Sequence, residues 1–153
     1  MTAETNLALV SLYDTDYQLW LDQTVAQLRL QDFATIDLEN LIEELESLGK
    51  RDRRAVASYL LQLCEHLLKI KYWDSERDRC FRGWDREIAS FRLQIQAILT
   101  DSPSLRRYLN EIFEHQYTEA RQLFLKSSGV TAHLIPDEPC FSLEQVLAKD
   151  WLP

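Results

Sequence analysis

Apolar residues recur at helical spacing along nearly the whole chain, and the pattern is densest from Val56 to Trp73, VASYLLQLCEHLLKIKYW. On a helix of 3.6 residues per turn, Val56, Leu60, Leu63, Leu67 and Ile70 form one stripe, while Leu61, Leu68 and Tyr72 form a second on nearly the opposite side. A helix apolar on two sides requires partners on two sides. The spacing therefore predicts the central helix of a bundle, and Gln62, Glu65, His66, Lys69 and Lys71 interrupt it too often for a membrane span.

The flanking segments can supply those partners. Tyr13, Tyr17, Trp20, Leu21, Thr24 and Leu28 share one face of a helix expected over residues 15–31, with Asp14, Thr15 or Asp16 as its cap, whereas residues 1–12 show no period and read as an arm. Thr35 and Asp37 are N-cap types ahead of a second helix, whose stripe is Leu38, Leu41, Ile42, Leu45 and Leu48 with Glu39, Glu43 and Glu46 turned outward. Gly49 can end that helix. Alternatively a single helix runs from 38 to 73, kinked at the glycine, at a cost of about 1 kcal/mol.

Residues 73–83, WDSERDRCFRG, alternate in charge without a sustained apolar stripe and read as a connecting loop. Trp84, Ile88, Phe91, Ile95 and Ile98 then mark another helix. Ser102 followed by Pro103 reads as the cap and first residue of a helix over 103–127 that buries Leu105, Leu109, Ile112, Ala120 and Leu123, with Tyr108 and Phe124 at its margins. Gln116, in the middle of that stripe, is expected to be a buried amide satisfied by backbone or tyrosine hydroxyls. Gly129 stops the helix, Pro136 and Pro139 keep residues 130–141 extended, and Ser142 with Gln145 makes a capping box for a short last helix that turns Leu143, Val146 and Leu147 inward. The expected fold is all-α, a compact single-domain bundle of about five main helices plus a short C-terminal helix, covering residues 13–153.

With three Gly and four Pro in 153 residues, turn-rich β folds and glycine-rich phosphate loops are disfavoured. The three cysteines, Cys64, Cys80 and Cys140, form no CxxC and suit a reducing cytoplasm, and no basic residue precedes the short apolar run near the N-terminus, which speaks against a secretory signal. Charge is unevenly distributed. Residues 1–49 carry one basic and ten acidic side chains, residues 50–92 eleven and seven, and residues 93–153 five and eight, within a total of −8. A basic middle between acidic ends calls for pairing inside the protein or for an anionic partner.

Two sets of residues can be weighed for chemistry. Glu44, His66, His115 and Glu119 lie on or beside the apolar faces of three predicted helices, and mixed His and carboxylate ligands are what metal sites in bundles use. Neither His66 nor His115 has a Glu three residues before it, as the di-iron pattern requires, so hydrogen-bonded polar groups at the edge of the bundle are the simpler expectation. The second set is basic and aromatic: Arg77, Arg79, Arg82, Arg86 and Trp84, within residues 69–86. Arginines beside aromatic rings can hold phosphate and stack bases, but interleaved acidic residues and a pI near 4.9 oppose binding to a polyanion.

The segments YDTDYQLWL, LENLIEELESLGKRDRRAVASYLLQLCEHLLK, SPSLR and FSLEQVLAKDWLP together resemble a bacterial, mostly cyanobacterial family defined only as a domain of unknown function, the twenty-ninth so named. The resemblance runs from about Tyr13 to Pro153. It implies an all-α cytoplasmic protein and brings no catalytic, cofactor or metal residues onto positions of this chain. Since every strong signal serves packing and none assembles a reactive group, the expectation is a non-catalytic helical module that binds a protein partner, a second copy included. No cofactor and no membrane are expected. The alternatives are a metal-dependent enzyme with a His and carboxylate site between helices, and a nucleic-acid-associated protein using residues 69–86.

Overall fold

The computed structural model describes residues 12–153; all but the last residue of the arm expected over 1–12 lies outside them. The protein is all-α, with no strand among the described residues. The chain divides into two compact units, Met1–Lys50 and Arg51–Pro153. Among the described residues no helix is long and apolar enough to cross a membrane.

In the first unit, Asp16 caps helix α1 (Tyr17–Arg29), its Oδ1 accepting the Leu19 N–H at 3.0 Å. Trp20 and Thr24, one turn apart, are the buried residues of this helix. The Tyr13 ring meets Trp20 edge-on with centroids 4.8 Å apart, and the Thr24 hydroxyl donates to the Trp20 carbonyl at 2.8 Å. The helix ends before residue 31 because Gln31 adopts a left-handed φ of 57°, a conformation that terminates the hydrogen-bond ladder. Gln27 Nε2 then donates to the Thr35 carbonyl and hydroxyl, both at 3.2 Å, folding the connection back. Asp37, buried, opens the next helix by accepting from the side-chain amide of Asn40 at 2.6 Å.

That helix, α2 (Leu38–Tyr72), is a single run of 35 residues, about 50 Å long. Gly49 neither ends it nor meets any neighbour, since a Cβ there would face open space. The propensity cost of one glycine is small against the strong helix formers on both sides of it. The short helix ending at Gly49 is thus replaced by the continuous alternative.

The second unit is built around residues 51–72 of α2. Val56, Leu60, Leu63, Leu67 and Ile70 are all buried, and so are Cys64 and Leu68 of the other side; Leu61 and Tyr72 pack against the core half-buried. Seven of the eighteen buried core residues belong to this one helix, against three from α3 (Asp74–Asp101) and four from α4 (Leu105–Ser128). The remaining four, Ile135, Phe141, Leu143 and Val146, come from the C-terminal segment, which contains a 3-10 turn (Ala132–Leu134) and the short helix α5 (Leu143–Leu147).

The loop expected over residues 73–83 is helix instead, and Trp73 alone separates α2 from α3. Asp74 and Glu76 sit in the first turn of α3, where carboxylates complement the helix dipole, and pair with Arg77 and Arg79 three residues on. Arg77 also donates from Nε to the Ile70 carbonyl at 2.5 Å and from Nη2 to the Lys71 carbonyl at 2.8 Å, satisfying the exposed end of α2. Charge periodicity therefore builds these turns where an apolar stripe is missing. Trp73 itself stacks on Trp84 at 5.7 Å and meets Phe124 edge-on at 5.9 Å.

Ser102 closes α3, its N–H bonding the Ile98 carbonyl at 2.8 Å. One boundary differs from expectation: α4 starts at Leu105 behind Ser104, not at 103 behind Ser102. Within α4 the buried line passes through Leu109, Tyr117, Ala120 and Phe124, leaving Leu123 exposed and Ile112 half-buried. Tyr117 and Phe124 are seven residues apart on one face, and the aromatic pair takes the interior in place of Leu123. Gln116 donates its amide to the Ala57 carbonyl at 2.7 Å, so its expected burial as a satisfied amide holds.

The C-terminal segment has little regular structure and is held by side chains that reach its carbonyls. Arg121 donates to Ala132 and Ile135, the Tyr117 hydroxyl to Pro136, and Arg92 to Val146, Lys149 and Trp151 at 2.8, 3.1 and 2.8 Å. The Ser142–Gln145 capping box is present with both bonds.

Leu63→Ala and Leu67→Ala should each lower stability by about 2–5 kcal/mol in urea denaturation, and Leu68→Ala by a similar amount; a neutral Leu68→Ala would contradict burial on the second side of α2. Arg92→Met should cost on the order of 3 kcal/mol and raise amide hydrogen exchange over residues 143–152 while α2 stays protected.

Candidate functional site

The residues considered for a metal are held in separate roles. His66 is half-buried on α2; its Nδ1 lies 2.8 Å from the Gln62 carbonyl, one turn back, and its ring meets Phe91 edge-on at 5.4 Å. A carbonyl can only accept, so Nδ1 carries the proton of a neutral imidazole. Burial holds the imidazole pKa below its ordinary value, outweighing the bond to Gln62, and Lys69 adds to the depression. Glu44, in the first unit, accepts from the Tyr13 hydroxyl at 2.7 Å and the Tyr17 hydroxyl at 2.6 Å. That hydrogen bond, then burial, pushes the Tyr13 phenol up to about 12.

His115 is exposed on α4, and Glu119, half-buried, lines a shallow depression with Gln122, Leu123, Leu125 and Lys126. Among the described residues no group of three or more His, Cys, Asp or Glu converges so as to hold a metal ion. Glu44 belongs to the first unit, and in the second no hydrogen bond or ion pair among the described residues joins His66 to His115 or Glu119.

The basic set is similarly divided. Arg77 closes the end of α2 and Arg79 pairs with Glu76. Trp84 is packed against Trp73, partly buried in the core, and so is not presented as an open stacking platform. Arg82 and Arg86 are exposed and pair with no carboxylate among the described residues.

Two arrangements have no counterpart in the sequence motifs. The first is a cluster at the edge of the core in which the hydroxyl of buried Tyr117 approaches half-buried Cys140 Sγ at 3.7 Å, with half-buried Tyr72 and buried Cys64 beside it. Burial pushes the Cys64 thiol up and raises Tyr72 to about 12, so Cys64 and Tyr72 stay protonated and weakly nucleophilic. The second is a groove of about 540 Å³ between α3 and the C-terminal segment, lined by Asp85, Leu93, Gln96, Leu147 and Asp150 among others. Arg92 lies at its base, 7% exposed. Its donors are engaged by three backbone carbonyls, and Asp85 and Asp150 supply the nearby negative charge. Arg92 is thus a structural tie.

The surface of the first unit is different in kind. Of the fourteen large apolar residues exposed among those described, ten fall between Tyr17 and Leu48. Leu38 is 61% and Leu45 60% exposed, and Ile42 and Leu48 about half. These four recur at spacings of four, three and three, along one side of the first turns of α2. Leu41 of the same stripe is half-buried, and the adjoining side carrying Asn40 and Glu44 is more covered, Glu44 there receiving the Tyr13 hydroxyl. Sequence periodicity identifies the stripe correctly but assigns it to the interior of the bundle. Its exposure is the signal that only the coordinates supply. Glu39, Glu43 and Glu46 rise beside it, all exposed.

A family model described as "Domain of unknown function DUF29" matches residues 12–152, and the chain belongs to that family. No curated protein and no solved structure matches it.

Because the folded imidazole of His66 titrates below the ordinary value while the unfolded one does not, the unfolded state binds more protons between the two values. Stability should therefore fall as pH drops through about 6.5 and below. The wild-type urea midpoint, compared with that of His66→Gln between about pH 7.5 and pH 5, should show a steeper decline; parallel curves would assign His66 no buried neutral role.

Proposed function

We propose that this member of the DUF29 family is a non-catalytic helical module that binds another protein through the apolar surface of its first unit. The observation that carries the reading is the concentration of exposed large apolar side chains between residues 17 and 48. Isolated exposed leucines are ordinary on soluble proteins, but a helical stripe of them with a polar rim is what an interface presents before its partner arrives. The second unit supports the same reading from the other side. Its apolar stripes are enclosed, its buried thiol and phenols are held protonated, and its best-buried cation is tied to carbonyls. The family match crosses both units, which supports treating residues 13–153 as one functional domain.

Leu38→Glu combined with Leu45→Glu tests the proposal. Exposed side chains contribute little to folding, so the double variant should stay within about 0.5 kcal/mol of wild type in urea. Proteins retained by the wild-type chain from native lysate should survive nuclease treatment and be lost with the variant. Equal retention by both proteins, or retention abolished by nuclease, would refute the reading. A loss of several kcal/mol would instead show that the stripe is buried within the folded chain.

A further inference from the structure

We infer that the partner segment is a cationic amphipathic helix, an inference that rests on the interaction surface proposed above and names what it takes. Leu38, Ile42, Leu45 and Leu48 span about three helical turns, roughly 15 Å, and such a stripe is covered well by the apolar face of another helix of similar length. One rim of the stripe is acidic. Glu39, Glu43 and Glu46, spaced four and three residues apart, are exposed and pair with no cation among the described residues. Residues 12–49 as a whole carry nine acidic side chains against one basic residue, Arg29. A helix bearing leucine-like residues at spacings of three and four, flanked by Lys or Arg, would cover the stripe and neutralise the rim together.

The same charges argue against other occupants. A second copy docking face to face would bring two strongly negative surfaces together across the stripe. The other exposed large apolar residues, Phe81, Leu93, Leu123 and Leu134, stand on separate elements and offer no complementary stripe for a staggered copy. Nucleic acid and anionic lipid surfaces would be repelled.

Fluorescein-labelled peptides with one shared leucine repeat and flanks of Lys, Gln or Glu, plus a scrambled Lys peptide of equal composition, serve as probes against the full chain in anisotropy titrations. The Lys peptide should bind at least about tenfold tighter than the Gln peptide at low salt, with the difference shrinking as salt screens it. The scrambled peptide should bind far more weakly. Changing Glu39, Glu43 and Glu46 to Gln should remove the preference for Lys while leaving Gln-peptide affinity in place; Leu38→Glu with Leu45→Glu should abolish both. Equal binding of the Lys and Gln peptides, equal binding of the scrambled peptide, or a preference that survives the triple change would overturn the cationic partner while leaving the interaction surface standing. Dimerisation in sedimentation velocity that the double Leu variant abolishes, with no peptide bound, would reassign the face to a second copy. No peptide bound and no self-association would remove this inference, and the interaction surface would fall as well if lysate retention is also unchanged in the double Leu variant.

Discussion

Residues 56–70 of α2 carry apolar side chains over so much of their circumference that water cannot be left on either side without a large unfavourable exposure. Burying seven of these side chains from one helix removes many times the apolar area of a single leucine, each worth about 1.5–3 kcal/mol when fully enclosed. The other elements of the second unit answer to that constraint. Ile88, Phe91 and Ile95 of α3, the Tyr117 to Phe124 face of α4 and the apolar positions of the C-terminal segment complete one core with it. The one-residue corner at Trp73 follows from the same demand: α3 must begin close to where α2 ends, and Arg77 makes the abrupt corner tolerable by satisfying the carbonyls left at that end.

A segment with little regular structure can close such a core only if its backbone polar groups find partners, because an unpaired buried carbonyl carries a desolvation penalty of about 1–3 kcal/mol. Arg92 and Arg121 meet that requirement from α3 and α4. Each guanidinium offers several donors in a fixed plane, so one side chain serves two or three carbonyls where separate hydroxyls or amides would each serve one. The cost of burying Arg92 is offset by those bonds and by Asp85 and Asp150.

Apolar periodicity made much of this fold legible before any coordinates: the two stripes of α2, the Ile88 to Ile95 face of α3, the capping box at Ser142 and the satisfied amide of Gln116 all lie where the spacing places them. It failed where stability comes from another source. Residues 74–83 form helix through acidic residues at the N-terminal turn and i,i+3 ion pairs, which leave no apolar period. In α4 the period is present, but its phase is set by Tyr117 and Phe124, whose aromatic neighbours Phe141 and Trp73 lie far along the chain. Arg92 was invisible for a related reason, since backbone carbonyls 54 to 59 residues away leave no trace in local sequence. The separate placements of His66, His115 and Glu119 likewise depended on helix rotations that a pattern of apolar residues does not determine.

The first turns of α2 raise the opposite problem, because the period shows the stripe from Leu38 to Leu48 but not what covers it. A helical period of leucines records that one face favours an apolar neighbour; it carries no information about whether that neighbour belongs to the same chain. Flanking charge narrows the choice. Around Val56 to Ile70 the polar residues are mixed in sign, and Lys69 pairs with Glu65 on its own helix at 3.4 Å, so the local electrostatics are settled within the unit. Beside Leu38 to Leu48, up to the basic run that begins at Lys50, the rim charges are Glu39, Glu43 and Glu46, and no cation is paired with them among the described residues. For the partner proposed above, complementary charge on its apolar helix would be a source of specificity as well as attraction, since a neutral or acidic helix of the same shape would leave those carboxylates partly desolvated and unpaired.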